Sequence, residues 1–262
     1  MRMPLVLMWF VTLCVFQASQ TGCASDPNQS TVEKQKQGFK PLFNGKDLKG
    51  WKHSGNWKVE SGVITRSGKG GSLVYASQPL PDDFELRFKW KVAEGSNSGV
   101  YYRPGQYEYQ ILDNQKHVDG KNPRTSAASI YFCLPPSHDA TRPVGDWNEG
   151  RIVCQGTVIQ HWLNGKKVID LDYTDPRYAW NVELLANRGG NLADRGAYLS
   201  LQDHGDPVWY RGMTLRTIPV SEKLDRSPVK PAEVSDAAMA AEQRKLQRIM
   251  EGRARQKQKQ TK

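Results

Sequence analysis

The sequence has few of the residues that build metal, redox or nucleotide sites. Four Cys and five His occur among its 262 residues, and because no CxxC or HxxxH pair is present, no zinc- or iron-binding motif is indicated. No GxGxxG fingerprint occurs, which argues against a dinucleotide cofactor. The formal charge of +10 is not accompanied by a helix-turn-helix, zinc-finger or RNP pattern. We therefore expect no nucleic acid partner.

The sequence also lacks a hydrophobic run long enough to cross a membrane comfortably. Its longest apolar stretch, from Pro4 to Phe16, follows Arg2 and precedes small and polar residues, which is typical of a secretory signal. The stretch ends in "QTGC", which resembles a bacterial lipobox. We predict a signal peptide at residues 1–22 and lipidation of Cys23, with ordinary signal cleavage nearby as the alternative. Ala24 favours sorting to the outer membrane, so we expect an exported, periplasmic or cell-surface lipoprotein held to the membrane by its anchor.

Two cysteines remain for the folded part of the chain. Cys133 and Cys154 each lie in an apolar, strand-like run. An exported compartment permits a disulfide between them. Two buried free thiols are the alternative.

The sequence is rich in aromatic residues and glycine. It contains eight Trp, ten Tyr and 23 Gly, a composition that favours strands joined by tight turns. In "DFELRFKWKV" every second residue is apolar, which predicts a strand with one buried face. Asn164-Gly165 is a strong hairpin signal. Because many short strands recur and no convincing helix lies among them, we predict an all-β antiparallel sandwich or jelly roll over residues 39–219.

The segments outside this domain differ in composition. Residues 23–38 are polar and are predicted to form a tether. Residues 220–262 carry a helix-capping signal at Ser235-Asp236, then helix formers and a basic end. We expect a basic helical or disordered tail there, either solvated or in contact with an anionic surface.

The stretch "YEYQILDN" places an acid and an amide on one strand. Successive side chains of a strand alternate between its faces, so Glu108 and Gln110 are expected to share a face. Asp113 has the opposite parity and lies at the strand end. By the same rule Gln202 and His204 of "LQDHG" are expected to project together.

Several motifs occur together in order, and they cover about residues 39–219: "LFNGKDLKGW", "DFELRFKW", "NSGVYYRP", "YEYQILDN", "GDWNEGRIV", "WLNGKKV" and "LSLQDHGDPVWYRGMTLR". This series resembles the domain of unknown function 1080 family, described as 3-keto-disaccharide hydrolases. The resemblance implies a concanavalin/laminin-G-like jelly roll that acts on glycosides with a ketone at carbon 3. The sequence departs from the family where "GALY" is usual, because "TSAASIYFC" has no Gly at that place.

Cleavage of a 3-keto-glycoside by elimination needs a base, a group that stabilises the enolate and an acid for the leaving group. We predict Glu108 as the base, Arg103 as the enolate stabiliser and His204 as the acid. Arg103 could alternatively form a structural ion pair with Glu108, and His204 could lie in a plain hairpin turn. The residues predicted to bind the sugar are Asn97, Gln110, Asp113, Gln202, Tyr102 and Trp147, with turn-forming or core roles as the alternatives.

No cofactor is required by these residues. Glu108, Asp113 and His204 together form a mixed oxygen and nitrogen set that would suit a divalent metal ion. Two other functions are compatible with the same sequence. One is a non-catalytic carbohydrate-binding lipoprotein, and the other is a hydrolase of unoxidised glycosides, which needs two suitably spaced acids.

Overall fold

The computed structural model describes residues 35–105 and 107–260. The signal peptide predicted at residues 1–22 and the lipidation site predicted at Cys23 lie outside these residues. The strands, in chain order, are β1 (Lys40–Pro41), β2 (Trp51–Lys52), β3 (Trp57–Glu60), β4 (Val63–Arg66), β5 (Leu73–Tyr75), β6 (Phe84–Val92), β7 (Asn97–Arg103), β8 (Tyr107–Leu112), β9 (Asn148–Gln155), β10 (Val158–Leu163), β11 (Lys166–Asp172), β12 (Ser200–Leu201) and β13 (Val208–Thr217).

The strands form two antiparallel sheets. The large sheet has eight strands in the order β11-β10-β9-β6-β13-β4-β3, with β1 also paired to β13. The small sheet has five strands in the order β2-β5-β12-β7-β8. Neighbours in each sheet are often far apart in the sequence, as in β6 between β9 and β13, which is typical of a jelly roll. The predicted all-β sandwich is confirmed.

The core lies between the two sheets and follows from the period-2 pattern. Phe84, Leu86, Phe88 and Trp90 of β6 are at most 2% exposed. The Phe88 ring meets the ring of Tyr109 from the small sheet edge-on, with 5.2 Å between centroids, a favourable aromatic geometry. Burial of these alternating side chains fixes which face of each strand is left outside.

The predicted Asn164-Gly165 hairpin is also confirmed. It joins β10 to β11, and both residues have positive φ, 50° and 80°. These are the angles of a type I′ turn, whose twist matches that of the flanking strands. Asn and Gly tolerate this conformation better than other residues.

One helix inside the domain was not predicted. Helix α1 spans Ala179–Arg188 and follows a short 3-10 helix, Pro176–Tyr178. Leu184 and Leu185 are its buried residues, and it ends at Gly189 in the left-handed conformation, with φ 99°. Because only Leu184 and Leu185 of this helix are buried, its apolar face is narrow, which explains why the pattern did not reveal the helix.

The chain ends in helix α2, Asp236–Gln260. The Ser235 side chain accepts a hydrogen bond from the backbone N–H of Ala238 at 3.3 Å, as the capping signal predicted. In the described part of the chain, no helix combines the length and apolar character that a membrane span requires.

One loop, residues 113–134, borders the outer face of the small sheet and is called the site loop below. It contains two short 3-10 helices, Val118–Lys121 and Pro123–Thr125. Ala128 adopts a φ of 64° in this loop, a conformation that glycine adopts without strain. An alanine, and not a glycine, therefore occupies this left-handed position of the site loop.

Candidate active site

Strand pairing places Glu108 and Gln110 on the outer face of the small sheet. Tyr101 lies opposite Glu108 and Gly99 lies opposite Gln110 in the register of β7 and β8, and directly opposed residues share a face. The backbone N–H of Gln202 donates to the carbonyl of Gly99 at 2.9 Å, which brings Gln202 alongside. The intervening residues of β8, among them Tyr109 and Ile111, are fully buried between the sheets. We call the outer set, Asn97, Tyr101, Glu108, Gln110 and Gln202, the polar face.

Glu108 is the carboxylic acid of the polar face, and its pKa is strongly perturbed. Its side chain is buried, with the residue 4% exposed, and Oε1 has no hydrogen-bond partner among residues 35–105 and 107–260. Burial raises the pKa of Glu108 to about 8 because an ionised carboxylate loses hydration there, and a hydrogen bond with Tyr101 only partly opposes this effect. The carboxyl group is therefore largely protonated at pH 7 and becomes a base above about pH 8.

Two cations and one acid modulate this carboxyl from surrounding elements. Arg188 at the end of α1 and Lys245 of α2 lower the pKa of Glu108, and Asp119 of the site loop raises it. All three effects are smaller than that of burial. The polar face therefore combines a poorly solvated acid with positive charge nearby, an arrangement often found at catalytic sites.

Gly99 provides the space that Glu108 occupies. A Cβ atom on Gly99 would lie 1.8 Å from Glu108 Oε1 and 2.5 Å from its carboxyl carbon. The side chain of Glu108 thus lies across β7 above Gly99, pointing along the polar face toward Asn97. A residue larger than glycine would displace the carboxyl group.

The amides of the polar face present oxygen atoms without partners. Gln110 donates through Nε2 to the Thr125 carbonyl at 3.2 Å, and Gln202 donates through Nε2 to the Tyr101 hydroxyl at 2.8 Å. The side-chain oxygens of Gln110, Gln202 and Asn97 make no hydrogen bond within the described part of the chain. Buried acceptors are normally satisfied. Together with Glu108 Oε1, these acceptors suit a ligand that carries several hydroxyl groups.

Two histidines lie at the Asn97 end of the polar face. The rings of His117 and His204 are 5.9 Å apart between centroids, and His117 Nε2 lies 3.5 Å from the Asn97 amide nitrogen. Asp206 Oδ2 accepts from the backbone N–H of Asn97 at 3.0 Å and lies 3.3 Å from His204 Nδ1. The face therefore has Glu108 toward one end and an exposed His204 at the other.

Arg103 is not brought to Glu108. The pairing of β7 with β8 shifts between Tyr101 and Arg103, so Arg103 lies opposite Tyr107, on the inward side. There its guanidinium donates to the Asp82 carbonyl at 2.7 Å and lies 5.5 Å from the Phe84 ring centroid. A bulge inserts one residue and reverses the alternation beyond it. Neither the predicted enolate contact nor the alternative ion pair with Glu108 is formed.

Three of the predicted sugar-binding residues lie elsewhere. Tyr102 is fully buried between the sheets, where its hydroxyl meets His161 Nε2 at 2.9 Å. Trp147 stacks under Arg211 of β13, 3.9 Å from the guanidinium carbon, on the outside of the large sheet. Asp113 accepts backbone hydrogen bonds from Gly95, Gln115 and Lys116. It forms a turn, as the alternative interpretation stated.

The cysteines and the suggested metal ligands can also be placed. Cys133 and Cys154 are free, buried thiols, so the disulfide is not formed, and burial raises the pKa values of these thiols to about 12 and about 11.

Among residues 35–105 and 107–260, no three His, Cys, Asp or Glu side chains come together in a way that could hold a metal ion. In particular, Asp113 already uses both carboxylate oxygens in its turn.

Several residues of the site were missed or left unassigned. Tyr101 could have been found from cross-strand parity with Glu108. His117 and Asp119 come from an irregular loop, and Arg188 and Lys245 from two helices, so no periodic signal links them to β8. Only the folded chain brings these groups together.

Comparison with known proteins places this geometry in context. The family model described as "3-keto-alpha-glucoside-1,2-lyase-like domain" matches residues 38–216. A 3-keto-disaccharide hydrolase of Bacteroides thetaiotaomicron is 29% identical over 233 residues, covering 69% of this chain and 79% of that protein.

Two solved structures from Parabacteroides distasonis, both provisionally described as glycosyl hydrolases, are also similar. The first is 25% identical with a TM-score of 0.61, covering 73% of this chain and 99% of the other. The second is 27% identical with a TM-score of 0.57, covering 69% and 99%.

Proposed function

Because the chain belongs to the 3-keto-alpha-glucoside-1,2-lyase-like domain family, we propose that it hydrolyses 3-keto-disaccharides or related 3-keto-glycosides with Glu108 as the base. The observation that carries the proposal is the buried carboxyl of Glu108, whose Oε1 has no hydrogen-bond partner among the residues that the structure describes and whose pKa is raised to about 8. A carboxylate with a raised pKa removes a proton from carbon more effectively than an ordinary one.

The reaction proceeds in two balanced steps. In the first, the Glu108 carboxylate takes the proton from carbon 2, the C–H electrons form an enolate with the ketone at carbon 3, and the enolate expels the glycosidic oxygen from carbon 1. The leaving oxygen receives a proton, and an enone remains. In the second, water adds to carbon 1 and carbon 2 regains a proton. The net change is hydrolysis, with no oxidant or reductant consumed.

The roles of the neighbouring groups follow from their positions. The amide oxygens of Gln110, Gln202 and Asn97 accept hydroxyl protons of the sugar. The Tyr101 hydroxyl, whose pKa is raised chiefly by burial, stays protonated and donates to the developing enolate oxygen in place of Arg103. His204, exposed at the far end of the polar face, remains the proposed acid for the leaving group.

The experiment is turnover of 3-ketotrehalose by the purified protein, with trehalose as the unoxidised comparison. We expect cleavage of the keto sugar only, and a loss of at least about 1000-fold in kcat for Glu108→Gln, since the amide cannot take a proton. Glu60→Gln is the matched control, because Glu60 is exposed and forms a surface ion pair with Lys58. A parallel assay with a chelator tests for a divalent ion.

Isotope labelling separates elimination from direct displacement. In D₂O, elimination places deuterium at carbon 2 of the released keto sugar, in excess of that found when the free keto sugar is incubated without enzyme. Release without excess deuterium would contradict the role of Glu108 as a base at carbon 2.

A carbohydrate-binding protein without activity is the alternative that the unpartnered amide oxygens of the polar face also suit. It predicts binding of the keto sugar without turnover, and loss of affinity in Gln110→Leu. A hydrolase of unoxidised sugars is less well supported, because Asp113, the acid nearest in sequence, is bound into a turn. Cleavage of trehalose itself would favour it.

We also propose export and anchoring through Cys23, on the basis of the N-terminal sequence. Metabolic labelling with a fatty acid in a bacterial host, comparing the native chain with Cys23→Ala, tests this. Label retained by the variant would exclude Cys23 as the anchor.

A further inference from the structure

Helix α2 lies outside the family match and yet borders the polar face. The family model ends at residue 216, and α2 begins at Asp236. The sequence predicted a basic helical or disordered tail here, either solvated or in contact with an anionic surface. It is instead packed against the site loop and α1, the two elements that supply Asp119 and Arg188 near Glu108.

The helix docks through one apolar contact and one buried ion pair. Leu246 packs in a cluster with Tyr131, Phe132 and Leu184. Glu242, 4% exposed, accepts from the Asn122 amide at 2.7 Å and lies 3.5 Å from Nε of Arg124, which is also buried.

Farther along the helix, Arg253 donates to the backbone carbonyl oxygens of Asn187 and Arg188. Cations at the C-terminal end of a helix are stabilised by its dipole, so Arg253 ties α2 to the end of α1. A surface tail would not be expected to bury a Glu.

Tyr131 connects the helix to the strand that carries Glu108. Its backbone N–H donates to the Glu108 carbonyl at 3.1 Å. Its hydroxyl donates to Asp119 Oδ2 at 3.2 Å and accepts from Lys245 Nζ at 3.0 Å. The guanidinium carbon of Arg188 lies 4.9 Å from the centroid of the same ring. Lys245 thus holds the hydroxyl of a residue whose backbone is bonded to Glu108.

From these contacts we propose that α2 is a built-in wall of the active site, and that Lys245 is a positioning residue which fixes the site loop against the Glu108 end of the polar face through Tyr131. The expected effect of Lys245 on turnover rests on the proposed function. The docking of α2 against the site loop does not. The wall lies outside residues 38–216, which the family model matches.

The charges around Glu108 give the expected direction of a pH effect. The groups that face its carboxyl are Tyr101 of β7, Asp119 of the site loop, Arg188 of α1 and Lys245 of α2. A positive charge favours the carboxylate and lowers its pKa. Removal of the Lys245 charge therefore raises the pKa of Glu108, and the rising limb of the pH–rate profile moves to higher pH.

The test compares Lys245→Met, which keeps the apolar stem, with Lys245→Arg and with Arg248→Met. Arg248 is exposed, and its guanidinium bonds within α2 to the Arg244 carbonyl, so it controls for the loss of one charge from the helix. For Lys245→Met we expect kcat/KM on 3-ketotrehalose to fall at least about threefold at pH 7 and to recover at high pH. Lys245→Arg should restore the profile, and Arg248→Met should match the native protein.

Two readouts need no turnover and keep this inference separate from the proposed function. The first is the Glu108 pKa from the ¹³C shift of its labelled carboxyl, which is expected to rise in Lys245→Met only. The second is deuterium exchange of residues 113–134, which is expected to quicken in Lys245→Met and more strongly in Leu246→Asp, where the docking contact is lost. If both the pKa and the exchange rates equal those of the native protein, the wall does not exist in solution and the inference is overturned.

Discussion

A single methyl group on Gly99 should disable the site while leaving the fold intact. Gly99 lies in β7, and the side chain of Glu108 crosses directly above it. In Gly99→Ala the new Cβ would meet Glu108 Oε1 at 1.8 Å, whereas ordinary contacts begin at 3.4 Å. The carboxyl oxygen must therefore move by about 1.6 Å, the difference between these two distances. No such movement is available without turning the Glu108 side chain away from its place on the polar face.

The expected loss can be estimated from that displacement. A misplacement of about 1 Å in a reacting group costs about 100-fold in rate, so we expect kcat/KM on 3-ketotrehalose to fall about 100-fold at pH 8. The folded state should persist. Gly99 has no positive φ, so the alanine reduces the entropy of the unfolded chain, by about 0.4–1 kcal/mol, against a packing cost of about 1–3 kcal/mol. Urea unfolding measures this small net change.

Gly68→Ala is the matched control, because no atom of the described residues lies within 4 Å of a Cβ at Gly68. It should retain native kcat/KM. The Gly99→Ala change should add no further loss in a Glu108→Gln background, since both act on the same carboxyl. Native activity in Gly99→Ala, with the protein folded, would refute the assignment of Glu108 in its observed position.

Two further predictions concern stability. The pKa of Glu108 is raised in the folded protein from 4.5 to about 8, so the stability that this group contributes is present below pH 4.5 and is lost as the pH rises toward 8. Glu108→Gln should therefore be more stable than the native protein at pH 7, by up to about 3 kcal/mol in urea unfolding. If the variant and the native protein were equally stable at both pH 5 and pH 7, the raised pKa would be contradicted. Glu85 is fully buried and forms ion pairs with Arg87, Arg151 and Arg216 at 2.6–2.7 Å. Glu85→Gln should lower the free energy of unfolding by about 2–3 kcal/mol, because three guanidinium groups lose their shared anion. The kcat of the folded enzyme should stay native because Glu85 lies on the other sheet, and a changed kcat would show that the two sheets are coupled.

The sequence predicted the parts of this molecule that depend on alternation along a strand. The parity of Glu108 and Gln110, the buried face of β6 and the Asn164-Gly165 turn all follow from local geometry. Arg103 shows where that rule stops, because a bulge after Tyr101 reverses the face and nothing in "SGVYYRP" reveals it. Register shifts depend on how the partner strand packs, and they are invisible in a single segment.

The surroundings of Glu108 were less predictable for a different reason. Lys245 is 137 residues from Glu108 in the chain, and its helix looks polar on every side, with one buried leucine at Leu246. Docking of such a helix depends on a complementary surface formed by the site loop and α1. Only the assembled fold contains that surface.

The site loop has a consequence for solubility as well as for the site. β8 is the last strand of its sheet, and such a strand offers unpaired N–H and C=O groups to any other extended chain. Here the loop uses those groups itself: Ala128 N–H donates to the Gln110 carbonyl at 2.8 Å, Gln110 N–H to Ser129 at 3.3 Å, and Tyr131 N–H to Glu108. Shortening the site loop would uncover these groups as a template for aggregation, so the length of the loop is constrained by the need to keep the molecule monodisperse.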